Sequence, residues 1–264
     1  MPKGVCAFCG TYGELDREHY IAQRFRKLFP LKSQPGYGQR LSTYDPETKR
    51  YRVHTERRAH SPWGLSVQVG KYCCNGAWMA KLDELVAPFL DHAVSPESRA
   101  VSYALLCMLA GWGAKVAALH ELSGQPTSTA ISPDDRRHIK RHRRPPRGTY
   151  AWVTASEWRP SMLPGVDQTT LMLSERPIGS QTVKEKNTHS TTIFFGHVTV
   201  FLFGTTLLRR LRPPEELRDR MIPIWPDPPR RGAMWPAGPL LTEREAVGLS
   251  RSIEYSFSGR IAPR

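Results

Sequence analysis

The chain has 264 residues and carries 38 lysines and arginines against 24 aspartates and glutamates, which gives a formal net charge of +14 at pH 7. This length fits one large domain or two small ones. The positive charge attracts polyanions such as nucleic acids, whose phosphates add affinity that does not depend on base sequence. No apolar run follows the first residues, so the sequence predicts no secretory signal peptide and we expect a cytoplasmic protein.

Two cysteines near the start of the chain, Cys6 and Cys9, have a C-x-x-C spacing. Such a turn allows two thiolates to bind one tetrahedral zinc ion, and Gly10 directly after it supplies the tight turn. The alternative is a redox pair, but that motif usually opens a helix after a strand in a thioredoxin-like unit, and the sequence here does not resemble one. A second pair, Cys73 and Cys74, follows much later. In a cytoplasmic protein we expect these thiolates to bind metal rather than form disulfides.

Glu18 and His19 lie between the two cysteine pairs. A carboxylate is a hard oxygen ligand for magnesium, and a neutral imidazole can take a proton from water near physiological pH. The alternative is an ordinary surface pair with no chemical role, because histidines in structural roles are common.

Taken in order, these motifs resemble the HNH endonuclease family, in the branch with C-x-x-C, E-H and C-N-x-x-W-M motifs, over about the first ninety residues. The resemblance implies a ββα-metal fold in which His19 is the general base. It also implies that Glu18 and Asn75 bind a catalytic magnesium or manganese ion, while a structural zinc ion stabilises a module too small to fold on its own core. Trp78 and Met79 match the start of the family's closing helix.

The chain departs from this pattern at Lys71, where the family has a cysteine. We therefore expect zinc to be bound by the first cysteine pair, by Cys74, and by one of Cys73, His60 or a water molecule. Two adjacent cysteines can bind one ion only with a strained local backbone, so a site without zinc also stays open.

Basic residues are concentrated in two segments, one at 24–29 and the other at 136–147. The first mixes cations and aromatic rings, which suits phosphate contact and base stacking. Its alternative is a short amphipathic helix whose Phe25, Leu28 and Phe29 are core residues. The residues expected to contact nucleic acid are Arg24, Arg26, Lys27, Lys71, Arg136, Arg137, Lys140, Arg141, Arg143 and Arg144.

A helix is predicted to begin at Ser132-Pro133-Asp134-Asp135, because serine is a good cap, proline suits the first turn and acids favour the positive end of the helix dipole. This helix would carry the second basic segment and end before Pro145-Pro146. The alternative for the segment is a solvated linker.

The rest of the chain predicts a division near residue 93, with a nuclease module and its inserted basic loop at 1–92 and an accessory domain at 93–264. We expect a long helix that opens at Ser95-Pro96-Glu97 and runs to Leu119. Its uncharged centre, 100–114, is shorter than the ~20 residues that cross a membrane, so it is predicted to be a buried helix. Strand-like segments follow at 149–153, 169–173 and 191–203, with His197 as a hydrogen-bonded structural histidine.

The predicted fold class is therefore α+β, a zinc-stapled ββα-metal module followed by a long buried helix and a small antiparallel sheet. The predicted function is metal-dependent hydrolysis of phosphodiester bonds in DNA. The main alternative is a zinc-stabilised nucleic-acid-binding protein whose nuclease site has decayed. A nuclease that cuts RNA differs only in substrate, and net charge does not separate it from the first prediction.

Overall fold

The computed structural model describes residues 2–31, 38–45, 50–59, 61–123, 129–171, 187–206 and 215–249. His60, one candidate zinc ligand, lies outside the described residues, as do the last two residues of the predicted strand 169–173. Within the described residues the protein is a mixed α/β fold with small antiparallel sheets, as expected.

The N-terminal region consists of a three-stranded antiparallel sheet, of order β1-β2-β5, followed by a helix. The inserted strands β3 and β4 pair with each other as a separate antiparallel hairpin. The elements are β1 (Lys3–Val5), β2 (Tyr12–His19), 3-10 helices (Gln23–Leu28 and Pro62–Gly64), β3 (Gly38–Asp45), β4 (Arg50–Arg58), β5 (Ser66–Gly70), a π-helix (Lys71–Met79) and α1 (Ala80–Leu90).

The segment 24–29 adopts the amphipathic alternative, as a 3-10 helix over Gln23–Leu28. Phe25 and Phe29 are fully buried, and both rings pack edge-on against Phe195 at centroid distances of 5.1 Å. The aromatic rings of this segment therefore belong to the core and are not available to stack on bases.

The remaining elements place a long helix against a five-stranded antiparallel sheet of order β11-β7-β10-β9-β8. The short strands β6 and β12 form a separate antiparallel pair. The elements are β6 (Arg99–Val101), α2 (Tyr103–Ser123), α3 (Pro133–His142), β7 (Thr149–Ala155), β8 (Gly165–Leu171), β9 (Thr188–Phe195), β10 (Val198–Thr205), a 3-10 helix (Glu215–Arg220), β11 (Ile222–Trp225) and β12 (Ala233–Trp235).

Two predicted boundaries in this region are wrong. The long helix begins at Tyr103 rather than at Ser95, because the intervening residues Arg99–Val101 pair with Ala233–Trp235. The predicted strand 191–203 is two strands, since Gly196 has a φ of +61° and turns the chain back on itself.

His197 lies in the turn between β9 and β10 rather than within a strand. Its ring Nδ1 donates to the carbonyl oxygen of Ser156 at 2.9 Å, and its ring packs edge-on to Trp158. The predicted structural role of this histidine is confirmed.

The helix α2 is long and apolar enough by length and composition to cross a membrane, but 72% of its most apolar window is buried inside the protein. It packs against α1, α3, β5 and the strands of the larger sheet. One continuous cluster of buried residues runs from Cys6 through α2 to Trp235. The division at residue 93 stays a prediction, with a shared core on both sides of it.

The helix α3 begins as predicted. The hydroxyl of Ser132 accepts from the amide of Asp135, and the Asp135 carboxylate accepts from the amide of Ser132, so the two residues form a capping box. The helix ends at Arg143, which has a left-handed φ of 56°. Gly111 of α2 lies directly under this end, where an added Cβ would overlap the carbonyl oxygen of Arg143. Glycine thus permits the close approach of the basic helix to the core.

Candidate functional site: a four-cysteine cluster beneath a basic helix

The four cysteines of the two motifs meet at one place. Cys6 and Cys9 come from the turn after β1, and Cys73 and Cys74 come from the π-helix that follows β5. All four Sγ atoms lie within 4.8 Å of one another, with 3.7 Å between Cys6 and Cys74 and 3.5 Å between Cys9 and Cys73. The sequence prediction of one cluster is confirmed, and Cys73 fills the position left by Lys71.

These distances fit a tetrahedral metal. Zinc–sulfur bonds of about 2.3 Å at tetrahedral angles place sulfur atoms about 3.8 Å apart. Four cysteine sulfurs are the donor set of structural zinc sites, because soft thiolates favour zinc. The cluster can therefore bind a metal ion such as zinc, which would cross-link β1, β5 and the following helix and carry out no chemistry itself.

The protonation of the cluster is uneven. A hydrogen bond from Cys74 lowers the pKa of Cys6 to about 4, and the same bond raises the pKa of Cys74 far above its ordinary value. For Cys9, burial opposes ionisation, but hydrogen bonds from Thr11 outweigh it and lower the pKa. Burial and the hydrogen bond to Cys9 raise the pKa of Cys73 to about 11. Metal binding therefore displaces the protons that Cys73 and Cys74 hold, since the ligands of zinc are thiolates.

Two glycines shape the cluster. Gly10 has a φ of +79°, in the left-handed region that side chains disfavour, and it closes the C-x-x-C turn as predicted. Gly70 precedes the π-helix, and a Cβ at this position would overlap the Sγ atom of Cys73. A residue with a side chain at position 70 would therefore push one sulfur out of the cluster.

The basic helix α3 packs directly on the cysteine cluster. Lys140 donates from Nζ to Cys9 Sγ at 3.3 Å, which places a positive charge beside this sulfur atom. Arg136 donates to the carbonyl oxygen of Phe8, in the turn between the first two cysteines, at 3.2 Å. Arg143 lies over the ring of Trp78 at 4.9 Å. The four-cysteine cluster and the basic helix therefore form one unit.

Most of the residues predicted to contact nucleic acid lie at the surface. The exposed ones include Arg26, Lys27, Arg137, Arg141 and Arg144. Lys71 is partly exposed, and its Nζ lies 3.9 Å from a carboxylate oxygen of Glu14. Arg24 is exposed and lies 4.0 Å from Asp91.

Arg136 is the exception among the predicted contacts, because it is only 8% exposed. Besides Phe8, it donates to the carbonyl oxygen of Ile131 at 2.7 Å. Its guanidinium group is therefore used inside the protein, where it secures α3, and it is not presented to a ligand.

Glu18 lies in a buried cluster of charges that sequence reasoning missed. Its carboxylate is 3.4 Å from Nζ of Lys115 on α2, and both carboxylate oxygens of Asp83 on α1 accept from the same ammonium group at 2.7 Å. Trp112 also donates to Asp83. Burial raises the pKa of Glu18 to about 7 against the opposing effect of Lys115. Lys115 directly follows the uncharged stretch 100–114. A lone cation in an apolar helix was the sequence signal from which a buried ion pair could have been predicted.

This pairing bears on the predicted magnesium site. Glu18 is only 7% exposed, and the Lys115 ammonium group beside its carboxylate would repel a divalent cation. The side-chain nitrogen of Asn75 donates to the backbone carbonyl of Arg17 at 3.1 Å. Neither residue supports a magnesium ion in this geometry, and the magnesium site stays a prediction.

His19 occupies the last position of β2 and is partly exposed. Its Nε2 lies 3.2 Å from the side-chain nitrogen of Gln23, which can only donate, so Nε2 is the acceptor and the proton is on Nδ1. Nδ1 is buried without a hydrogen-bond partner among the described residues. Burial lowers the pKa of His19, with the backbone of Leu65 acting in the opposite sense. The ring is therefore neutral at pH 7 and has a basic nitrogen.

No family model, no curated protein and no solved structure matches this chain.

Proposed function

We propose that this protein is an HNH-type nuclease that hydrolyses phosphodiester bonds in DNA, with His19 as the general base and the four-cysteine cluster as a structural zinc site. The observation that carries the proposal is the state of His19, which is neutral, partly exposed and at the end of a strand. The π-helix that carries the second cysteine pair is bonded to the same strand through Asn75 and Arg17. This order of strands, cysteine pair and helix supports the resemblance in the sequence.

In the proposed reaction, Nε2 of His19 takes a proton from a water molecule. The resulting hydroxide attacks the phosphorus, the bond to the 3′ oxygen breaks, and the leaving 3′ oxygen takes a proton from solvent, while His19 returns its proton to solvent before the next turnover. Gln23 donates to Nε2 in the resting state and would be displaced by the water. The exposed arginines of the basic helix supply long-range attraction for the substrate strand. The proposed zinc ion would hold the turn after β1 and the π-helix together.

The test is nicking of supercoiled plasmid by the full-length protein, with magnesium, manganese or EDTA, beside a His19→Ala variant. Loss of a general base lowers the rate by about 100-fold or more. His92→Ala, at an exposed histidine in the turn after α1, is the matched control and should cut normally. Cleavage that survives His19→Ala would refute the assigned base. The same assay on single-stranded RNA decides between the two substrates.

A second candidate is a nucleic-acid-binding protein that does not cut, and the contact between Lys115 and Glu18 favours it. In that case the ammonium ion occupies the place where the resemblance expects a divalent metal. The protein would then shift DNA on a gel with unchanged affinity in the His19→Ala variant and would cut with none of the metals. The plasmid experiment therefore separates the two candidates.

A further inference from the structure

The side of α3 that faces away from the cysteine cluster borders a cavity of about 610 Å³. His138 and His142 lie one helical turn apart on this side, with ring centroids 4.5 Å apart and an interplanar angle of 40°. Beyond the helix, Arg144 and Arg147 line the same cavity. Neither His19 nor any of the clustered cysteines lines it, so the cavity is separate from the site described above.

One part of the cavity is strongly cationic. Arg144 and Arg147 are exposed, and neither makes an ion pair or a hydrogen bond with the described part of the chain. None of the described residues that line the cavity is acidic. The two guanidinium groups are therefore free to bind an anion, and arginine matches the geometry of phosphate oxygens with paired donors.

Another part of the lining consists of aromatic rings and prolines. Tyr150 on β7 and Trp225 on β11 line the cavity beside prolines 145 and 226. The Tyr150 ring is parallel to that of Trp152, at 6.2 Å and 15°, so its orientation is set by a neighbour in the same strand. Trp225 is partly buried against the core. Two anchored aromatic rings next to free arginines suit a ligand that joins an anion to a planar ring.

We propose that this cavity binds one nucleotide unit of a single-stranded nucleic acid, with its phosphate at Arg144 and Arg147 and its base against Tyr150 and Trp225. Stacking of bases on aromatic side chains beside a basic groove is the general mode of single-strand binding. The volume lies within the range of about 300–1,000 Å³ for small-ligand sites, which exceeds the needs of a lone phosphate ion. The site rests on the proposed nucleic-acid substrate and shares Arg144 with the predicted contacts, and it adds Arg147, Tyr150 and Trp225 as residues that hold one nucleotide.

The test is calorimetric titration of the full-length protein with three probes, deoxyadenosine 5′-monophosphate, deoxyadenosine and inorganic phosphate. We expect the dissociation constant of the monophosphate to be at least tenfold lower than that of either of the other probes. Arg147→Gln should weaken monophosphate binding by tenfold or more, and Tyr150→Leu should reduce it toward the affinity of inorganic phosphate. Arg159→Gln, at an exposed arginine outside the cavity lining, is the matched control and should bind normally.

Equal affinities for the monophosphate and inorganic phosphate would overturn the proposal, because the aromatic half would then contribute nothing. Unchanged monophosphate binding in an Arg144→Gln, Arg147→Gln double variant would also overturn it, since both side chains are exposed and their replacement leaves the fold intact. The titration includes no cleavage step. Binding of the monophosphate without cleavage of plasmid would refute the proposed nuclease activity and support the proposed nucleotide site. Cleavage of plasmid without binding of the monophosphate would support the nuclease and refute the nucleotide site.

Discussion

Lys115 is a single buried cation whose partners come from two other elements, Glu18 on β2 and Asp83 on α1. We expect Lys115→Met, which keeps the unbranched side chain except for its terminal atom and removes the charge, to lower the free energy of unfolding by about 3–5 kcal/mol at pH 7. The reason is that two buried carboxylates would then lack a counter-ion. Urea unfolding followed by circular dichroism measures the change.

The matched control is Lys81→Met, at a lysine whose side chain is 67% exposed and lies 3.5 Å from Glu84. Exposed pairs of this kind contribute less than about 1 kcal/mol. Equal unfolding midpoints for the two variants would show that the buried pair contributes no more than a surface one.

Gly70 is a second residue with a defined role, because a Cβ added to it would overlap the Sγ atom of Cys73. We expect Gly70→Ala to weaken zinc binding by about tenfold or more, because the added Cβ displaces one of four ligands and outer contacts of metal ligands have effects of this size. Gly13→Ala is the control, since a Cβ there meets nothing within 4 Å. Competition for zinc with a chromogenic chelator measures both affinities, and equal values would contradict the expected steric effect.

Among the elements, local signals predicted structure well and distant pairings did not. The start of α3 follows from four consecutive residues, Ser132 to Asp135, that bond to one another. The start of α2 was wrong because β6 pairs with β12 more than 130 residues later, and no property of residues 95–101 reveals that partner. The turn at Gly196 had a local signal, a glycine, inside a run that otherwise reads as strand.

The β9–β10 pair of the larger sheet contains a histidine that makes the sheet sensitive to acid. His189 is buried, and its Nδ1 is hydrogen-bonded to the hydroxyl of Thr191 at 3.1 Å. Its ring lies so close to Gly204 that a Cβ at position 204 would overlap it. Burial lowers the pKa of His189 to about 4. In the unfolded chain a histidine has a pKa near 6.5, so between these values the unfolded state binds the proton and the folded state does not.

Stability should therefore fall as the pH drops from about 6.5 to about 4, by roughly 3 kcal/mol in total at 1.4 kcal/mol per pKa unit. We expect His189→Gln to lose less stability than the unmodified protein over this range. Urea midpoints at pH 7 and pH 4.5 measure the difference for both proteins. His120, which is also buried with a lowered pKa, contributes equally to both and cancels in the comparison. Identical losses would refute the assignment to His189.

For the molecule as a whole, the sequence predicted the metal site more fully than its surroundings. The spacing of Cys6 and Cys9 and the second pair at 73–74 were sufficient to predict one cluster, because metal ligation constrains residue type and spacing. The contact between Lys115 and Glu18 was not predictable, since 97 residues separate the two and only the packing of α2 on the three-stranded sheet joins them. The same packing gives the three-stranded sheet and the larger sheet a common core.

That common core decides how the protein responds to the loss of metal. A module that folded alone would unfold over about its first ninety residues and leave the rest intact. Here the cluster contacts α3 through Lys140 and Arg136, and α3 packs on α2, which is the centre of the fold. We therefore expect removal of zinc to destabilise the whole chain in one cooperative step.

Scanning calorimetry with zinc and with EDTA tests this expectation. Zinc at a free concentration 1,000 times its dissociation constant adds about 4 kcal/mol to the free energy of unfolding. Its removal by EDTA should therefore lower the melting temperature by about 10 °C for a chain of this size. Cys6→Ser should melt at the lower temperature even with zinc, whereas Cys107→Ala, at a cysteine on α2 outside the cluster, should keep its response to zinc. Two separate transitions, with only the first moved by EDTA, would instead mean that the three-stranded sheet and the larger sheet unfold independently despite their shared core.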